Sequence, residues 1–189
     1  MLLRSMTLAL GLLVGVATAP HAAPELYRLD TARSQVGFEL DMDGTAQPGT
    51  MPIKTARMMI DLENVQRSTV HVTLDAQAAQ TGVAFVTGMM KGPEVLDTAN
   101  FPEIHFQSTR IIGDLQGASV TGNLTIRGVT HPVTLKAGVF RQRGTDASNR
   151  DKLTVLLSGT ISRDAFGAGG YPGFVGDRIG LRIVAQIEK

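Results

Sequence analysis

Beyond the first two dozen residues the chain has three histidines, His71, His105 and His131. Imidazole is the side chain with the widest chemical range near neutral pH, serving as base, acid or metal ligand. Their spacing fits none of these uses: no two stand four apart, as a helical metal pair would. The 189 residues contain no cysteine, which excludes disulfides, thiol nucleophiles, thiolate metal sites and lipid attachment at a cysteine. His71 stands between Val70 and Val72, and His105 between Ile104 and Phe106, so on strands both rings point outward. His131 precedes Pro132 in an expected turn. Structural or solvent-facing roles are expected for all three.

Other constellations are equally bland. Residues 167–173 read GAGGYPG, but the Lys-Ser/Thr of a phosphate loop is missing and no βαβ unit follows. There is no G-x-S-x-G nucleophile elbow. Arg163 and Asp164 form the one notable ionic pair, which barrel-closing hydrogen bonds explain more simply than catalysis. Asp41 and Asp43 flank a turn, an ordinary place for Asp. No catalytic residue, metal site or cofactor is expected.

The surrounding elements read as strands. Apolar residues alternate at Val36, Phe38, Leu40; at Met58, Ile60, Leu62; at Val70, Val72, Leu74, Ala76; and at Ile104, Phe106. The same period of two returns at Val120, Leu124, Ile126, at Val133, Leu135, Ala137, Val139, at Leu153, Val155, Leu157, and from Ile179 to Ile187. With a first strand near Leu26 to Leu29, eight or nine strands are predicted. Turn dipeptides fall at Asp43-Gly44, Pro48-Gly49, Gly113-Asp114, Arg127-Gly128 and Arg143-Gly144. Hairpins at such spacing predict an antiparallel sandwich or barrel, and closure removes exposed edges. Between Thr81 and Phe101 the chain is too apolar for a solvent loop and too irregular for a strand. A short helix or two against the barrel mouth is predicted there, acting as plug or lid.

At the N-terminus, Arg4 precedes an apolar run from Met6 to Val16. That run is too short for a bilayer span of about 20 residues, and small residues follow it, as in a secretory signal peptide. Residues 1–23 are therefore expected to be a leader; cleavage after Ala19, Ala22 or Ala23 fits the pattern. Residues 24–189 make one domain, with no further segment able to cross a membrane as a helix. Beyond the leader, acidic and basic residues balance at seventeen each, since Arg4 is the one basic residue inside it. Nothing in that balance attracts nucleic acid.

Particular residues then carry a resemblance. Residues 122–133 (GNLTIRGVTHPV) closely resemble the most recognisable hairpin of the YceI-like family. Residues 27–30 (YRLD) and 34–38 (SQVGF) resemble its opening, and 101–108 (FPEIHFQS) the strand after its helical insertion. Residues 163–167 (RDAFG) and 175–177 (VGD) resemble its closing segment. The resemblance implies an all-β, extended antiparallel eight-stranded, lipocalin-like barrel with a short helical lid. It also implies export to the periplasm and a non-enzymatic role in binding, transport or storage of a long apolar lipid, a polyisoprenoid or isoprenoid quinone; a homodimer is suggested by family analogy alone.

Parity assigns the wall of such a cavity to Phe38, Leu40, Met58, Ile60, Leu74, Phe106, Ile126 and Leu135. The lid falls to Phe85, Met89, Met90, Val95 and Leu96. A register error of one residue would turn any strand's set outward. Two departures bear on the ligand. Many relatives carry His near the end of the second strand, where this chain has Asp41-Met42-Asp43, and Arg-Asp-x-His-Leu in the insertion, where it has Val86-Thr87-Gly88-Met89-Met90. Either the ligand is a different or headless apolar molecule, or the lid has collapsed and filled the cavity. The rival functions are an enzyme acting on an isoprenoid-like molecule and a filled barrel that binds a partner protein under stress.

Overall fold

The computed structural model describes residues 23–189; the expected leader lies outside them but for Ala23. The strands are β1 (Glu25–Leu29), β2 (Gln35–Met42), β3 (Thr45–Met51), β4 (Ile53–Ile60), β5 (Thr69–Asp75), β6 (Gln80–Thr81), β7 (Glu103–Gly113), β8 (Ala118–Ile126), β9 (Val129–Arg141), β10 (Lys152–Ser162) and β11 (Val175–Glu188). One helix, α1 (Ala84–Lys91), lies between β6 and β7. All pairings are antiparallel. The order β1-β4-β5-β7-β8-β9-β10-β11 closes on itself through β1 and β11, forming an eight-stranded barrel. The predicted fold class is the observed one.

The ring is extended at one end because β11 serves two neighbours along one edge. Its C-terminal part pairs with β1 at Leu29↔Ile187, and its middle with β2 from Val184↔Gln35 to Ile179↔Leu40. At the break between β1 and β2 the Ser34 hydroxyl accepts from Gln186 N–H at 2.9 Å, and Asp30 N–H donates to Gln186 O at 2.8 Å. Beyond β2 come β3 and then the two-residue β6, which pairs with β3 alone. β6 and β7 are not hydrogen-bonded to each other, and the chain between them carries α1.

Two predicted hairpins have the expected geometry. Asp43-Gly44 and Arg127-Gly128 each have positive φ at both residues (51° and 79°, 50° and 75°) and join directly paired strands, as two-residue primed turns require. Pro48-Gly49 is a correction: it is no turn but the middle of β3, opposite Glu39 and Phe38. His131 likewise lies in β9, opposite Leu124, and not in a turn.

The reason for glycine at two strand positions is aromatic. A Cβ on Gly49 would stand 2.2 Å from the Phe38 ring, and one on Gly122 would stand 2.4 Å from the Phe106 ring and 2.5 Å from Gln107 O. Each ring lies over a glycine of the adjacent strand, the covering that compensates for a missing side chain. Gly122→Ala forces backbone as well as ring to move, and should lower unfolding free energy by about 1–3 kcal/mol in urea titration. Gly88→Ala, in α1 with open space around its Cβ, should leave it unchanged or raise it by up to about 1 kcal/mol.

Candidate functional site

Inward parity leaves a cavity of about 300 Å³ along the barrel axis. Its wall includes Val36, Phe38 and Leu40 of β2, Met58 and Ile60 of β4, Val70, Val72 and Leu74 of β5, and Ile104, Phe106 and Ile111 of β7. Residues of β8, β9 and β10 continue it, and on β11 the lining runs from Val175 to Ile187. Twelve strand steps cover about 40 Å of chain, roughly 30 Å along the axis at usual barrel tilt. The cavity is therefore long and narrow.

Separate packed clusters lie at its two ends. At the base, Tyr27, Met58, Leu153, Ala185 and Ile187 are buried together. The Tyr27 hydroxyl donates to Arg150 O at 2.7 Å, and burial raises its pKa above the ordinary value. Val65 and Ser68 also reach the cavity here; the Ser68 hydroxyl accepts from the N–H of buried Asp61. At the other end Met51, Met90, Ile104, Leu124, Ile126, Ile161 and Phe166 form one cluster, and Leu40, Met42 and Val86 a second.

Of the thirteen residues assigned from sequence, twelve line this cavity: Phe38, Leu40, Met58, Ile60, Leu74, Met89, Met90, Val95, Leu96, Phe106, Ile126 and Leu135. Phe85 does not; it is 73% exposed. The cause is the helical period. α1 turns Val86 and Met90, four apart, inward, and a residue one position before Val86 is rotated about 100° away. Parity also breaks at a bulge in β7 between Ser108 and Arg110, after which Ile111 faces in and Ile112 is exposed. Met51 and Met42 also line the cavity; the Pro-Gly in β3 conceals that strand in the sequence, and Met42 stands next to the Asp43-Gly44 turn.

Arg163 is a polar cavity residue whose expected barrel-closing hydrogen bonds are present and whose expected ionic partner is not. It makes no ion pair with Asp164 among the described residues. Arg163 is 6% exposed, and its guanidinium donates instead to four carbonyls: Gly176 O (3.0 Å), Ala168 O (2.7 Å), Gly170 O (2.7 Å) and Val175 O (2.8 Å). These bonds fold the glycine-rich loop over the end of the barrel. Gly170 N–H in turn donates to Glu94 O beyond α1, and a Cβ at Gly170 would stand 2.5 Å from that oxygen. Arg127 ties the same two segments, donating to Val95 O and Gly167 O. The lid is thus strapped at its C-terminal side. At its N-terminal side Val83 offers no side-chain cap, and the fastening is Thr81 N–H to the Thr87 hydroxyl at 2.9 Å.

Comparison with known proteins places this architecture. Residues 27–187 match the YceI-like domain. The chain belongs to the YceI-like family. Among relatives, a UPF0312 protein of Enterobacter sp. (strain 638) is 34% identical over 94 residues, and Protein YceI of Salmonella arizonae is 33% identical over 94; each alignment covers 50% of this chain and 49% of the relative. The chain spans about half the length of the curated relatives it matches. Burkholderia cenocepacia BcnA superposes with TM-score 0.74 at 22% identity, covering 85% of this chain and 99% of that one. A polyisoprenoid binding domain from Saccharophagus degradans superposes with TM-score 0.62 at 14% identity, covering 86% and 97%. These likenesses establish the fold.

Within this YceI-like barrel the apolar lid residues Val86, Met89 and Met90 all line the cavity. Polar groups at that end come instead from Arg163 and from Tyr171, a non-glycine residue held at φ 59°. The histidines stay apart from it. His71 and His105 lie on the outer face of β5 and β7, where His105 Nδ1 is 3.2 Å from the Thr73 hydroxyl, and exposed His131 packs edge-on against Phe166.

Asp177 fastens the strap from outside, accepting from Asp164 N–H (2.9 Å) and the Ser162 hydroxyl (2.7 Å), and those bonds lower its pKa. Because the folded value is depressed, its contribution is full above the unfolded pKa and is lost as pH falls through the folded one. Amide exchange at residues 163–177 should therefore be faster in Asp177→Ala than in the parent at pH 7, and the difference should shrink as pH falls below the ordinary aspartate range. Arg163→Ala, which strands buried carbonyls, should cost more than about 2 kcal/mol of unfolding free energy; a smaller loss would mean that the loop closes without it.

Proposed function

We propose that this YceI-like chain is a periplasmic carrier or store for one long apolar lipid, a polyisoprenoid or the tail of an isoprenoid quinone. The observation that carries the reading is the shape and chemistry of the cavity: narrow, roughly 30 Å long by strand geometry, and walled by aliphatic, methionine and phenylalanine side chains. A linear chain fits such a space; a compact metabolite would leave most of it empty. Each methylene taken from water contributes about 0.8 kcal/mol, so ten give roughly 8 kcal/mol before ordering costs. Binding then needs few polar contacts. The resemblance to a polyisoprenoid binding domain supports the same ligand class. The signal-like N-terminus supports export.

A non-catalytic role is supported by how two of the polar cavity residues are used. Arg163 spends its donors on backbone carbonyls, and Ser68 accepts from Asp61. Neither is left convergent on a reacting atom. The open cavity speaks against a collapsed, filled barrel.

Native mass spectrometry of protein purified without detergent, followed by lipid extraction, is the direct test. One polyprenyl or quinone lipid per chain is expected. Ala137→Phe, which projects a ring from β9 into the cavity, should reduce uptake of added polyprenyl lipid at least tenfold while leaving the barrel folded by circular dichroism. A parent protein that is empty and also takes up none would overturn the reading.

A further inference from the structure

The lid end carries exposed apolar side chains that the cavity does not use. Phe85 is 73% exposed, Val83 45% and Phe174 45%. They surround one rim. Phe85 immediately precedes Val86, and Phe174 immediately precedes Val175; Val86 and Val175 pack in the same cluster with Leu40 and Met42. Phe174 is held there by its carbonyl, which accepts from Asp43 N–H at 3.1 Å. α1 is thus apolar on two faces, Val86 and Met90 toward the cavity and Phe85 toward solvent. It also occupies the stretch where β6 and β7 are not hydrogen-bonded, where the wall can part without breaking the sheet ladder.

We propose that this rim docks on the surface of a phospholipid bilayer, with Phe85 and Phe174 entering the interface and α1 lying between membrane and cavity. Charge and area both select that occupant. Residues 82–90 carry no charge, and Lys91 is the one basic residue between Gly82 and Phe101, so the attraction is apolar and does not require anionic lipid. An aromatic side chain carries roughly 200 Å²; the three residues together expose on the order of 300 Å². A stable protein interface takes about 800 Å² from each partner. The apolar area of the rim falls well short of that and is enough for shallow insertion of two rings. Its purpose rests on the lipid-holding reading, since a ligand insoluble in water must enter from a membrane, but attachment is measured separately.

The test is flotation of the full chain with phosphatidylcholine vesicles, at low and high salt. The parent should float in both, because screening weakens charge attraction and not apolar insertion. Phe85→Ser/Phe174→Ser should float at least tenfold less. The chain contains no tryptophan, so Phe85→Trp supplies a local reporter whose emission should shift to the blue on adding vesicles. In parallel, uptake of a polyprenyl lipid is measured from a detergent dispersion and from vesicles; the double variant should keep the first and lose the second. A parent that floats but holds no lipid upholds docking and removes the lipid-holding reading. Equal flotation of parent and double variant overturns the proposal, as does a parent that fails to float. A parent dimer that the double variant makes monomeric, with no flotation, assigns the rim to a second copy and overturns it too.

Discussion

Closure of this barrel depends on one strand edge. β11 is fourteen residues long, and the side of it that faces the chain's beginning is divided between β1 and β2. The backbone leaves the ladder for residues 30–34 and returns, with Ser34 and Asp30 satisfying Gln186 in the interval. That interruption lets the first stretch complete an eight-stranded ring while the second continues past it. A ring of eight strands encloses a space that side chains can fill or a ligand can share; extending one side past the ring lengthens that space without widening it. The inner face is accordingly apolar at most alternate positions, and a polar group there needs a partner of its own, as Arg163 and Ser68 have.

The two ends of the barrel are packed by different means. At the base, closure is by packing: Tyr27 and Ile187 are each 1% exposed, and the phenol finds a carbonyl at the rim. At the lid, closure is by a short helix with an uncapped N-terminus, strapped through Arg127 and Gly170 to a loop that Arg163 folds. An eight-residue helix has little stability of its own. Its place is set by Val86 and Met90 against the cavity and by the strap.

Arg163 shows how a buried cation can be kept without a carboxylate. Four carbonyl oxygens share its donors, and the carboxylate of Asp177 holds the same turn from outside through Asp164 N–H and Ser162. Removing the arginine would leave several oxygens unpaired in an apolar enclosure, which is costlier than the loss of any one bond. It is an architectural residue that happens to line the cavity.

The sequence by itself determined most of the strands and their inward sets, because a period of two in apolar residues is a local property that survives whatever the strand pairs with. Twelve of the thirteen assigned site residues therefore line one cavity. Tertiary structure alone decided the rest. Phe85 turned outward because helix phase is set by what packs beneath Val86 and Met90. β3 became a strand despite Pro48-Gly49 because it pairs along its length with β2, where the Phe38 ring takes the space of a side chain at Gly49. The bulge in β7 shifted parity to Ile111, and Arg163 found carbonyls in place of its neighbour Asp164, because both outcomes depend on contacts between segments far apart in the chain.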